Sequence, residues 1–132
     1  MTCLLKGEVV IREKEKTLLQ SLKLAREAAD LALSKKAEDV VILDLRGIST
    51  VTDFFVICSG SSDTHVKAIS DAIESGLEAK GVRKWHIEGY THRRWVLLDY
   101  VDVVVHVFNH KIREFYLLER LWGDAKIEKI EG

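Results

Sequence analysis

Two strongly apolar runs, Trp95-Val96-Leu97-Leu98 and Val103-Val104-Val105-His106-Val107-Phe108, stand only four residues apart, and this spacing constrains the fold more than any other feature. Asp99-Tyr100-Val101-Asp102 suffices for a hairpin and is far too short for the crossover that a parallel pair needs. The pair is therefore expected to be antiparallel. Two further runs, Val40 to Leu45 and Asp53 to Cys58, are continuously apolar rather than alternating, which asks for cover on both faces of a sheet. A layered α/β domain supplies that cover. With 132 residues, the chain has the length for one such domain.

Helical periodicity fills the intervals. Thr17-Leu18-Leu19-Gln20 matches a capping box, and Leu18, Leu22, Ala25, Ala29 and Ala32 follow on one stripe until Ser34-Lys35-Lys36. Ser62 or Asp63 is placed to cap a second helix, whose stripe is Val66, Ile69, Ile73 and Leu77 and whose end falls at Gly81. Val82 to Glu88 reads as a modest strand, closed by a turn at Gly89-Tyr90-Thr91-His92. A last helix carries Ile112, Phe115, Leu118, Leu121 and Trp122. The expected architecture is a single α/β domain with a mixed, about five-stranded sheet and three helices packed on it, in the order αββαβββα.

Composition removes several classes of function. A formal net charge of −1 leaves no general attraction to nucleic acid or anionic lipid, so any polyanion contact must be local. No apolar run approaches the roughly 18–20 residues that span a bilayer, and the first residues lack a secretory-signal pattern. A cytoplasmic protein is expected, with no membrane partner.

Catalytic chemistry finds little support. Ser59-Gly60-Ser61-Ser62 is a strand-to-helix turn of the kind that holds phosphates, yet it lacks the second glycine and the lysine of a phosphate loop. Nucleotidyltransferases follow such a turn with paired carboxylates that hold magnesium. Here Arg83-Lys84-Trp85-His86-Ile87-Glu88 offers one carboxylate beside two cations, so a simple capped turn is the better reading. Cys58, inside an apolar run, reads as a small buried hydrophobe, and Cys3 and Cys58 have no metal-ligand spacing. His106 and His110 straddle a strand end and a turn, and each of the five histidines reads as a core or turn residue. His65 is expected to bond locally, with a phosphate contact as the minority alternative. Asp99 and Asp102 suit turn bonding first and display to a basic partner second. No catalytic residue, metal or cofactor is expected. Lys80, Arg83, Lys84, Arg93 and Arg94 form a basic stripe among Trp85, Tyr90 and Trp95, which is either a solvated face or a contact surface with aromatic anchors.

Three blocks carry a resemblance. Asp53-Phe54-Phe55-Val56-Ile57-Cys58-Ser59-Gly60-Ser61-Ser62-Asp63-Thr64-His65-Val66-Lys67-Ala68-Ile69, the segment Arg94 to Phe108 and the segment Arg113 to Ala125 resemble, in order, the ribosomal silencing factor (Iojap-like) family. The resemblance covers 17–125, leaving 1–16 as a loosely ordered extension and 126–132 as a tail. It implies a topology similar to nucleotidyltransferases without their catalytic carboxylates. It also implies a translational repressor that binds the large ribosomal subunit through a ribosomal protein on the subunit-joining face. Association with the small subunit is then blocked sterically, and translation is damped in nutrient shortage. The family's contact region falls on Trp95 as an anchor, with Arg94, Leu97, Asp99 and Asp102 nearby, and truncating Trp95 is expected to weaken binding while stability falls little. Lys80, Arg83, Lys84 and Arg93 become candidate rRNA contacts, and a weak homodimer is expected. Val101 departs from the family's glycine between the two aspartates. A large-subunit assembly factor and, less favoured, a residual nucleotide-binding protein are the alternatives.

Overall fold

The computed structural model describes residues 20–48, 50, 52–111 and 126–130. Residues 1–19, with Cys3 and most of the capping box, and the expected helix from Ile112 to Trp122 lie outside the described residues. In chain order the elements are α1 (20–34), β1 (Glu38–Asp44), β2 (Phe54–Gly60), α2 (Asp63–Ala79), β3 (His86–Glu88), β4 (Trp95–Asp99), β5 (Val103–Asn109) and β6 (Lys126–Lys129).

Six strands form one mixed sheet in the order β3-β4-β5-β2-β1-β6. β4 and β5 are antiparallel, as their short connector requires, with Trp95 opposite Phe108 and Leu97 opposite His106. β2 and β5 pair in parallel at the sheet centre, and β1 pairs antiparallel with β2. β2, β5 and β1 from Val40 to Leu43 are largely buried on both faces, whereas β4 buries one face and keeps the other partly exposed. One face sends Val40, Ile42, Phe54, Val56, Cys58, Val96, Leu98, Val105 and Val107 into the cluster shared with α1 and α2. The other gathers Val41, Leu43, Ile57 and Phe108, with Phe55 and Trp95 packed against them. Each fully buried Val, Leu or Ile contributes about 1.5–3 kcal/mol, which makes this double-sided burial the main source of stability.

α2 follows its local signals. Ser62 is the N-cap, its Oγ accepting from the His65 amide at 3.1 Å, and Val66, Ile69, Ile73 and Leu77 are all fully buried. The helix ends at Ala79, and Gly81 beyond it has φ +83°. On α1, Ala25, Ala29 and Ala32 are buried as their spacing predicts.

Two expectations need correction. The strand predicted from Val82 begins only at His86, because residues 82–85 contribute one ladder-like bond, Trp85 N–H to the Asp99 carbonyl. The sheet has a sixth strand as well. Lys126–Lys129, expected as part of a tail, pairs antiparallel with the open edge of β1, and the Ile130 amide donates to the Val40 carbonyl. No helix among the described residues is long and apolar enough to cross a membrane.

Candidate functional site

Strand alternation divides β4 between two environments. Val96 and Leu98 are fully buried against the helices, while Trp95, Leu97 and Asp99 face the other way and keep partial exposure. Across the ladders the same face carries His86 and Glu88 from β3 and Val104, His106 and Phe108 from β5.

Trp95 is built into this face. Its indole N–H donates to His106 Nδ1 at 3.0 Å, and its ring stacks on Phe108 with centroids 4.9 Å apart and planes 25° from parallel. Phe55 meets the His106 imidazole edge-on at 4.5 Å. Since Nδ1 accepts, the imidazole proton is on Nε2, which has no partner among the described residues. Burial pushes the His106 pKa down to about 4, so the ring stays a neutral acceptor at neutral pH.

The hairpin tip is strained. Val101 has φ +72°, and the Asp102 amide reaches back to the Tyr100 carbonyl at 2.9 Å, a three-residue turn with a β-branched residue in the left-handed region. The surroundings fix it there. Asp99 Oδ1 accepts from the Val101 amide at 2.7 Å, and the Asp102 carbonyl accepts from the Asp53 and Phe54 amides. Val101 itself is 54% exposed. Val101→Gly is therefore expected to stabilise the fold by about 1 kcal/mol, after the entropy cost of glycine is subtracted from the relieved strain. A higher urea midpoint at unchanged slope checks it, and an unchanged or lower midpoint would contradict the strain.

Not all the expected contact residues converge. Trp95, Leu97 and Asp99 share one face, whereas Asp102 lines a cleft on the α1 side with Gln20, Lys23, Glu27 and Lys80. Arg94 is exposed immediately before β4, its carbonyl bonded to the Asn109 amide. Two cations of the basic stripe are paired, Lys80 with Glu27 at 3.4 Å and Lys84 with Glu74, while the Arg93 guanidinium, still charged, lies 5.9 Å from the Tyr90 ring centroid. Trp85, 74% exposed, is the least covered aromatic among the described residues.

Several donors of the glycine-serine turn are bonded locally. The Ser61 amide donates to His65 Nδ1 at 2.8 Å, the Val66 amide donates to the Ser62 carbonyl, and His65 Nε2–H donates to the Lys35 carbonyl at 2.6 Å. Asp63 places a carboxylate at the helix N-terminus, where it accepts from Asn109 Nδ2 at 3.1 Å. These are the bonds of a capped turn.

Comparison with known proteins gives a consistent result. The family model described as RsfS, ribosomal silencing factor during starvation, matches residues 19–132. The chain is 47% identical over 111 residues to the ribosomal silencing factor RsfS of Halalkalibacterium halodurans, covering 84% of this chain and 92% of that protein. With its Bacillus subtilis counterpart it shares 46% identity over 110 residues, covering 83% and 91%. The crystal structure of a Chromobacterium violaceum protein superimposes with a TM-score of 0.76 at 30% identity, covering 84% of this chain and 92% of that one.

Proposed function

Because the chain belongs to the ribosomal silencing factor family, we propose that it represses translation in the cytoplasm by binding the large ribosomal subunit and sterically excluding the small one. The outer face of β4 is the contact surface, with Trp95 as anchor and Leu97 and Asp99 beside it. One observation carries this choice: Trp95 is pinned by His106 and Phe108 yet keeps part of its indole in solvent. A large, rigid aromatic of this kind loses little side-chain entropy on binding and suits the centre of a protein interface. Arg94 extends the contact, and exposed Arg83 leads any local contribution from rRNA. Asp102, on the α1 side, lies at its margin. No bond is made or broken, in keeping with a glycine-serine turn whose Ser61 and His65 amides bond to their own neighbours.

Co-sedimentation with isolated large subunits tests the proposal. Binding to large but not small subunits is expected, together with a concentration-dependent fall in 70S formation when small subunits are added. Binding that leaves association intact would favour an assembly role, for which loss of the protein yields immature large subunits. In the free protein the same face pairs weakly with a second copy, so sedimentation at tens of micromolar should show a monomer–dimer equilibrium, on the scale of weak interfaces. Monomer alone would rule that pairing out.

A further inference from the structure

We infer that His106 is a positioning residue for partner binding: its Nδ1 fixes the plane of the Trp95 indole on the outer face of β4. The inference rests on the proposed role of that face and goes beyond it, because His106 itself is only 4% exposed and is not offered as a contact.

Three observations carry it. The first is the 3.0 Å bond from the indole N–H, a directional interaction on the indole edge, whereas ring stacking on Phe108 tolerates sliding and rotation. The second is the confinement of the imidazole. It lies opposite Leu97 on β4 and Ile57 on β2, with Phe55 edge-on to it, so the direction of Nδ1 is set by the core. The third is cost. Nε2–H is buried with no partner among the described residues, a desolvation penalty that a phenylalanine or leucine at this position would not incur. An imidazole that burdens the core on one side and serves Trp95 on the other is accounted for by what it does to Trp95. Its depressed pKa preserves this role, since a protonated Nδ1 could no longer accept.

A double-mutant cycle on the full chain tests the inference, with co-sedimentation on purified large subunits as the binding assay. His106→Phe keeps an aromatic ring and removes the acceptor. Affinity is expected to fall about tenfold or more while thermal stability is unchanged or higher. The Trp95 indole proton resonance should move upfield as its hydrogen bond is lost. His106→Asn, which returns an acceptor oxygen near the position of Nδ1, should restore the downfield resonance and part of the affinity. In a Trp95→Phe background, which has no indole donor, His106→Phe should change affinity less than about twofold. If Trp95→Phe impairs binding and His106→Phe does not, the positioning role fails and the contact face stands. If neither alters binding, the face itself was misassigned. A His106→Phe protein that unfolds also overturns the inference, because the histidine would then be required by the fold.

Discussion

Gly89→Ala is expected to cost about 3 kcal/mol of folding stability and to take ribosome binding down with it. Gly89 connects β3 to the turn before β4, and its φ of +75° lies where an L-residue pays roughly 1–2 kcal/mol. Space is the larger problem. A Cβ built on Gly89 falls on the backbone carbonyl oxygen of Trp95, far inside van der Waals contact. That oxygen belongs to the first residue of β4, so relief requires moving the start of the strand, at a cost of about 1–3 kcal/mol for forced overpacking. Gly81 provides the control. Its φ is +83°, yet nothing lies within 4 Å of the corresponding Cβ, so Gly81→Ala should show the backbone penalty alone, about 1 kcal/mol. Urea unfolding of the two variants separates the terms. Equal losses at the two positions would mean that the Gly89 turn rearranges freely and that the close approach to Trp95 has no energetic consequence.

The contrast between elements shows what a linear sequence can disclose. α2 is legible nearly to the residue, because Ser62, the stripe Val66–Ile69–Ile73–Leu77 and Gly81 are independent local signals that agree. The β4–β5 pair is equally legible, since a short connector leaves one arrangement open. β6 is not legible. Lys126-Ile127-Glu128-Lys129 has no buried face, and what makes it a strand is the unoccupied edge of β1, a partner distant in the chain. β3 shortens for a related reason: residues 82–85 have strand-like composition but lack a ladder partner beyond Trp85. At the site, alternation alone places Trp95, Leu97 and Asp99 together. It also points Val96 and Leu98 into the core. His106 reads from sequence as an ordinary core histidine, and only the register that sets it opposite Leu97 brings Nδ1 to the indole. Val101 hides its strain in the same way. A positive φ at valine is imposed by the bonds from Asp99 and Asp102 that close the hairpin, against the residue's own preference.

Trp95→Ala is expected to weaken large-subunit binding at least about 30-fold, a loss of roughly 2 kcal/mol of the kind seen for tryptophans at interface centres. Sequence considerations alone predict that folding stability falls little. The structure changes that expectation. Trp95 is half-buried, stacks on Phe108 and satisfies His106 Nδ1, so its truncation removes packing and leaves a buried acceptor unpaired. Complete burial would put the cost at about 3–5 kcal/mol, and partial exposure brings it to about 2 kcal/mol. The two losses are separable, because binding is measured well below the melting temperature, where a domain of ordinary stability retains its folded population after losing 2 kcal/mol. Calorimetry on the variant gives the folding term, and titration of large subunits with folded variant gives the binding term. A variant that loses about 2 kcal/mol in stability yet binds within threefold of the parent would make Trp95 only a packing partner of Phe108 and Ile57 and move the contact surface elsewhere. A loss in both measurements is what a side chain with one face in the core and one toward a partner must give.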